Sequence, residues 1–230
     1  MFFYAFLVTS AVLPLMTASP LDTASAPISL RDVSGTSTLY GGNLNGGACS
    51  FTTMSSLPAG IYGTAFSGSG WSNAANCGAC LQVTGPTGNS IKVMVVDKCP
   101  ECETGHLDLF QNAFEQLGST SAGKIATSYT QVACGITSPL VLHNKSGTSK
   151  YWFSMQVVNH NQPIAKLEVS TNSGSTWQAT TRQDYNFFEN SSGFGTDTVD
   201  VRVTSSSGKT VVVKGVGAAS DSSVTAGGNF

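Results

Sequence analysis

Along this chain apolar and polar positions alternate far more often than they recur at helical spacing. Val199, Val201 and Val203 alternate with Asp200, Arg202 and Thr204, and after a Ser-Ser-Gly-Lys turn the pattern resumes over 210–214. That period of two predicts a hairpin with one buried face. Residues 166–171, the Asn172-Ser173-Gly174 turn and residues 176–181 predict a second hairpin. In the N-terminal half the clearest strand candidates are 81–84, 91–96 and 129–133. One helix is expected, because Phe110, Ala113, Phe114 and Leu117 fall at i, i+3, i+4 and i+7. Asp108 followed by Gln111 resembles a capping box, so Asp108 is the expected N-cap, with Gly118 as the stop.

The pattern also divides the chain. The first residues form an apolar run ending in small residues, which predicts a signal peptide over 1–18 and export of the protein. Pro14 and Pro20 interrupt this run, and it is short for a membrane span. Residues 19–35 are polar and carry no periodicity, so they are expected to be a flexible leader. All six cysteines fall within a Gly-rich region, 36–137, whereas 138–230 has none and reads as alternating strands. Two domains are therefore expected, the second a small β-sandwich.

Composition narrows the chemistry. Charged residues make up 10% of the 230-residue chain, the net charge is −2, and no basic block is available to track a phosphate backbone. Nucleic acid is thereby disfavoured, and a surface of hydroxyls and amides points to uncharged polar ligands such as sugars. Cys77-Gly-Ala-Cys80 and Cys99-Pro-Glu-Cys102 match the spacing of a zinc ribbon. Export, an even count, and the two cysteines that a four-ligand site would strand, Cys49 and Cys134, favour three disulfides instead. Spacing alone leaves fifteen pairings open. His106, His143 and His160 show no metal-ligand spacing, and neither a nucleophile elbow nor a phosphate loop occurs, so no metal or cofactor is expected. Asn144-Lys-Ser and Asn190-Ser-Ser are glycosylation sequons.

A family resemblance rests on an ordered series of motifs: Thr38-Leu39-Tyr40-Gly41-Gly42, Gly47-Ala48-Cys49, Cys77-Gly78-Ala79-Cys80, Val96-Asp97-Lys98-Cys99-Pro100, His106-Leu107-Asp108-Leu109, Lys150-Tyr151-Trp152-Phe153 and Asp184-Tyr185-Asn186-Phe187. From about residue 35 to the C-terminus the chain resembles a two-domain expansin of the microbial, fungal type. The first-domain motifs are shared with family-45 endoglucanases, barwin-like proteins and loosenins; their combination with the second-domain motifs is specific. The resemblance implies an all-β protein, a six-stranded double-psi β-barrel with one short helix followed by an immunoglobulin-like β-sandwich that serves as a carbohydrate-binding module. It implies a secreted, monomeric, non-enzymatic protein that loosens cell walls by binding cellulose or another β-glucan, with xyloglucan and chitin as further plant or fungal wall partners. It also implies the bridges Cys49–Cys77, Cys80–Cys134 and Cys99–Cys102.

The same resemblance assigns the site. Asp108 matches the general acid of the related endoglucanases, Asp97 the second groove aspartate, and Thr38 the groove threonine, with Tyr40 and Trp71 expected along the groove to bind sugar. Local reading of the residues competes: a helix cap for Asp108, and a strand-end residue paired with Lys98 for Asp97. Inverting hydrolysis needs a second carboxylate to activate water, and the endoglucanases place that base close after a Thr-x-Tyr element. Here Thr38-Leu39-Tyr40 is followed by Gly41, Gly42 and Asn43, so hydrolysis is expected to be negligible. Cys99 stands where expansins commonly carry a tyrosine, and Glu101 and Glu103 read as solvated loop charges. In the second domain, Tyr151, Trp152 and Tyr185 match the surface aromatics of the family, supported by Lys145. Neighbours on a regular strand face opposite sides, so Tyr151 and Trp152 can share a surface only at a bulge, a twist or a strand start. Trp177, Phe153, Phe187 and Phe188 are expected in the core. The rival functions are a weak inverting endo-β-1,4-glucanase, a lytic transglycosylase-like enzyme, and a pure carbohydrate-binding or signalling protein.

Overall fold

The computed structural model describes residues 1–2 and 32–230, so nearly all of the expected signal peptide and most of the expected leader lie outside the described residues. Strand β1 (Val33–Tyr40) begins three residues earlier than the sequence pattern indicates. Val33, Ser34 and Gly35 are captured by cross-strand pairing to Tyr129, Ser128 and Thr127, a long-range contact invisible to local periodicity.

Five further strands complete the first domain: β2 (Ile61–Ser67), β3 (Cys80–Thr84), β4 (Ser90–Cys99), β5 (Leu107–Phe110) and β6 (Ile125–Val132). They close a barrel in the order β1-β5-β2-β4-β3-β6. The β1/β5 and β2/β4 pairs are parallel and the others antiparallel. Val83, Val93, Val95, Leu107 and Leu109 fill its interior, while Asp108, between two of them, faces outward as strand alternation requires.

Helix α1 (Gln111–Leu117) buries Ala113, Phe114 and Leu117 as its spacing predicts. Asp108 does not cap it. The N-cap is Phe110, with no side-chain hydrogen bond, because residues 107–110 are held in a strand between β1 and β2. Two ladders of backbone hydrogen bonds outweigh a cap worth about 1 kcal/mol.

The second domain is a sandwich of two antiparallel sheets. One is β10 (Gln178–Ala179), β9 (Ile164–Ser170), β13 (Thr198–Ser205) and β14 (Thr210–Gly217); the other is β11 (Thr181–Arg182), β12 (Phe188–Asn190), β8 (Phe153–Val158), β7 (Val141–Asn144) and β15 (Ser223–Thr225). Phe153, Met155, Leu167, Val169, Val201 and Val203 meet between them. Both predicted hairpins are present as β9/β10 and β13/β14, and Phe153, Phe187 and Phe188 are buried. Trp177 is not core: it is half-buried, with the Arg202 guanidinium 4.4 Å from its ring centroid, because it precedes the short β10 on the outer side of the sheet. The sequon residue Asn144 is 2% exposed and its side-chain amide donates to Gly217 O, Ala219 O and Ser222 Oγ, whereas Asn190 is half-buried and accepts only from Ser192 N.

All six cysteines are paired, as Cys49–Cys77, Cys80–Cys134 and Cys99–Cys102. Every position of β8 is buried, because its two faces serve different neighbours. Alternate residues enter the sandwich core, and Gln156 on the opposite face donates to the Cys49 carbonyl of the barrel at 2.9 Å. Asn186 donates to the same carbonyl at 3.2 Å. Trp71, His160 and Asn161 lie in the same seam: Trp71 N–H reaches Asp184 O, and Cys134 N and Gly135 N reach Asn161.

Candidate functional site

Four residues from four adjacent strands stand in one row across the outer face of the barrel. Thr38 on β1 is in register with Asp108 on β5, Asp108 with Ala65 on β2, and Ala65 with Asp97 on β4. Side chains directly opposite one another share a face. Asp97 joins this row only because the β2/β4 register slips between Thr64 and Ala65, an irregularity that re-aims the strand. Two strand spacings separate the aspartate backbones, about 9.5 Å at 4.7–4.9 Å each. Ala65 stands between them, buried under the Cys99–Cys102 bridge and Tyr40.

The two carboxylates are held differently. Asp97 Oδ1 accepts from the backbone N–H groups of Ala48 at 2.7 Å and Lys98 at 2.8 Å, and Oδ2 accepts from Tyr40 Oη at 3.2 Å. Burial, reinforced by the adjacent Asp97, pushes the Tyr40 phenol far above its ordinary range and keeps it a proton donor. Asp108 Oδ1 accepts from Thr38 Oγ1 at 2.5 Å. Thr38 Oγ1 is also 2.9 Å from His106 Nε2, and His106 Nδ1 is 3.3 Å from Thr36 Oγ1. Burial and Lys124 hold the His106 ring below its usual pKa, against the opposing pull of Asp108, Glu101 and Glu103.

Thr36, Thr38, His106 and Asp108 form one wall of a cavity of about 500 Å3. The Cys99–Cys102 bridge, Glu101, Glu103 and Lys124 line it as well. Glu101 and Glu103 are exposed, as loop charges should be, but the short disulfide loop brings them into the cavity of Asp108 rather than leaving them on remote surface. Spacing in the sequence does not disclose this.

A second face lies on the five-stranded sheet. Ser149 and Trp152 bridge across a tight turn, so Tyr151 sits at its tip, 72% exposed, and Trp152 at the start of β8, half-buried. The strand start thus lifts the alternation that would force the two neighbours to opposite sides. Alternation puts Trp152 on the side of Ser154, which donates to Glu189 at 2.8 Å. Tyr185 Oη donates to that same carboxylate at 2.7 Å, and burial together with Glu189 pushes its phenol up to about 12. Lys145 Nζ stands 5.8 Å from the Tyr185 ring centroid. The faces connect through one loop: Asp97 grips the Ala48 amide, and Cys49, the next residue, accepts from Gln156 and from Asn186, the neighbour of Tyr185.

Similarity to known proteins follows this geometry. The crystal structure of apo Clavibacter michiganensis expansin matches with a TM-score of 0.76 at 34% identity, over 87% of this chain and 98% of that one. The chain belongs to the expansin family. A mutant of the same Clavibacter expansin, solved in complex with cellohexaose, matches equally well, with TM-score 0.76 and 34% identity over 87% and 98% of the two chains. Expansin-YoaJ of Bacillus subtilis is 38% identical over 138 residues, 60% of this chain and 58% of its own. Expansin-like protein 1 of Dictyostelium discoideum is 28% identical over 197 residues, 82% of this chain and 68% of its own. Residues 62–129 match a family described as lytic transglycolase.

Within this expansin the sequence-assigned groove residues Thr38, Asp97, Asp108 and Tyr40 fall together, and Tyr185 and Lys145 meet on the second face. Trp71 departs from expectation. It is 2% exposed, with its N–H bonded to Asp184 O at 3.0 Å and Lys98 Nζ 5.6 Å from its ring centroid, so no face is free to stack on a sugar. The Lys98 ammonium pairs with Asp184, at 3.1 Å, and only the Lys98 backbone N–H reaches Asp97. Sequence reasoning overlooked His106, although its i, i+2 relation to Asp108 signals a shared face, and Glu189, whose role depends on partners from two other segments.

Proposed function

We propose that this expansin is a secreted protein that binds β-glucan, cellulose foremost, along the barrel groove and the aromatic face of the sandwich, and loosens wall polymers by displacing their non-covalent contacts without hydrolysis. The observation that carries the reading is the commitment of Asp97. Its two oxygens already receive three protein donors, which fill three of about four lone-pair positions and leave at most one for the water that an inverting base must hold and deprotonate. Asp108, with a single protein donor, retains capacity to engage a glucan oxygen. The structure of a related expansin with cellohexaose supports a glucan chain as the ligand. Tyr151, Trp152 and Tyr185 would supply flat faces for pyranose rings, and Lys145 and Glu189 would bond edge hydroxyls.

The test pairs two assays. Wall extension or filter-paper weakening should fall on Asp108→Asn, while reducing-end release from amorphous cellulose stays at background for the wild type. Sustained release dependent on Asp108 overturns the non-hydrolytic reading. A second reading has its own support: the family match over 62–129, together with Glu101 and Glu103 in the Asp108 cavity, suits a lytic transglycosylase-like reaction, in which a sugar hydroxyl replaces the activated water. Such a reaction yields products closed on themselves, with no new reducing ends, and is distinguished by mass analysis of released saccharides.

A further inference from the structure

The barrel contains a linear run of side chains, Thr36, His106, Thr38 and Asp108, of which the proposed function uses only the last. Residues i and i+2 of β1 face residues i and i+2 of the segment entering β5, so hydroxyl, imidazole, hydroxyl and carboxylate alternate across one seam. The approach is enforced by backbone. A Cβ on Gly35 would overlap the Gly105 carbonyl, and Gly105 itself has φ +87°, so two glycines let the start of β1 press against the residue before His106.

Hydrogen-bond accounting along this run gives two continuous arrangements, one with Asp108 ionised and one with its proton on the oxygen that faces Thr38. Thr38 has one proton. While Asp108 is a carboxylate, Thr38 must donate to it; His106 Nε2–H then donates to Thr38, and Nδ1 accepts from Thr36. When Asp108 is protonated and donates to Thr38, every bond reverses: Thr38 donates to a bare Nε2, and Nδ1–H donates to Thr36. Passing from the first arrangement to the second moves the Thr38 proton to Asp108, the Nε2 proton to Thr38 and the Thr36 proton to Nδ1, and Thr36 regains one from water. One proton enters at Thr36 and one arrives at Asp108.

We propose that His106 is the positioning residue of the groove acid, and that by exchanging its tautomer it reverses Thr38 and holds Asp108 in either proton state at one geometry, reloading it from the Thr36 side while a polysaccharide covers the carboxyl. Its ring is faced by Asp108 from β5, by Lys124 ahead of β6, and by Glu101 and Glu103 from the disulfide loop; β1 contributes only the uncharged Thr36 and Thr38. Burial and Lys124 disfavour the doubly protonated ring, against the opposing pull of the three carboxylates, and so favour a neutral His106 that can exchange tautomers.

This inference rests on the reading of Asp108 as the groove acid, and its test separates the two. The 15N resonances of the His106 ring are followed in the full chain from neutral to acidic pH, and again in Asp108→Asn, whose amide can donate to Thr38 as a protonated Asp108 does. The expected result is an exchange of tautomer, Nε2 losing its proton as Nδ1 gains one, either across the wild-type titration ahead of ring protonation or on passing to Asp108→Asn. A ring that keeps Nε2–H in both overturns the proposal, since a purely structural histidine has no reason to switch. Wall extension by Asp108→Asn is measured in parallel. An exchanged tautomer with extension unchanged leaves the relay standing and removes the role of Asp108; a fixed tautomer with extension lost does the reverse.

Discussion

Trp71 donates its indole N–H to the backbone carbonyl of Asp184 at 3.0 Å, from a position 2% exposed in the seam between barrel and sandwich. This one contact converts an aromatic that the sequence offers as a sugar platform into a joint. It is reinforced by Lys98, which reaches both the Trp71 ring and the Asp184 carboxylate, and by the two donors on Cys49 O. The groove face of the barrel and the aromatic face of the sandwich are thereby held in a fixed relation.

Replacing Trp71 should therefore cost stability rather than sugar affinity at the barrel. Trp71→Phe keeps the ring but orphans the Asp184 carbonyl, and about 1–3 kcal/mol of unfolding free energy is expected to be lost. Trp71→Ala should lose about 3–5 kcal/mol. Asp184→Asn, at an ion pair with considerable solvent access, should cost about 1 kcal/mol or less. Denaturant unfolding ranks the three; equal losses for Trp71→Phe and Asp184→Asn would contradict the joint.

The aromatic face makes a graded prediction for cellulose binding. Aromatic stacking is worth about 0.5–1.5 kcal/mol per pair, so Trp152→Ala and Tyr151→Ala should each weaken pull-down affinity roughly two- to tenfold. Tyr185→Phe retains the ring and frees Glu189 to bind a sugar hydroxyl, so its affinity should stay within about twofold of wild type. Unaltered binding by the triple alanine variant would remove these residues from the ligand surface.

Stability should depend on pH through His160. The ring is fully buried beside Phe51 and against Gly78, its Nδ1 has no partner, and burial lowers its pKa to about 4. A folded pKa below the unfolded value of about 6.5 means that the unfolded chain binds more protons between those limits. Stability is complete above about pH 6.5 and falls as pH drops toward 4, by on the order of 3 kcal/mol for a shift of this size. In His160→Gln the slope in that window should flatten whatever the absolute stability, which urea unfolding at pH 7, 5.5 and 4.5 measures. An identical slope in the variant refutes the assignment.

The disulfides should separate stability from function. Cys99–Cys102 spans three residues and Cys80–Cys134 spans 54, so loop-closure entropy predicts losses of about 2 and about 4 kcal/mol when each pair is replaced by alanine. Opening Cys99–Cys102 also removes the bridge that lines the Asp108 cavity, so wall extension should fall even at temperatures where the variant remains folded. Glu101→Gln with Glu103→Gln, in an intact bridge, isolates the charges: extension near wild type is expected, and an abolished activity would promote one of them to a working partner of Asp108.

Period-two alternation in the sequence determined the β-rich class and the two hairpins of the sandwich, because burying one face of a strand is a local constraint written every second residue. The motif order determined the family, and with it Thr38, Asp97 and Asp108 as a group. Only tertiary pairing decided that residues 107–110 are strand and Asp108 no helix cap, that a register slip opposite Ala65 brings Asp97 into the row of Asp108, and that Trp71 closes a seam. Each of these depends on a partner 30 or more residues away, and local spacing carries no record of which distant hydrogen bonds will prevail.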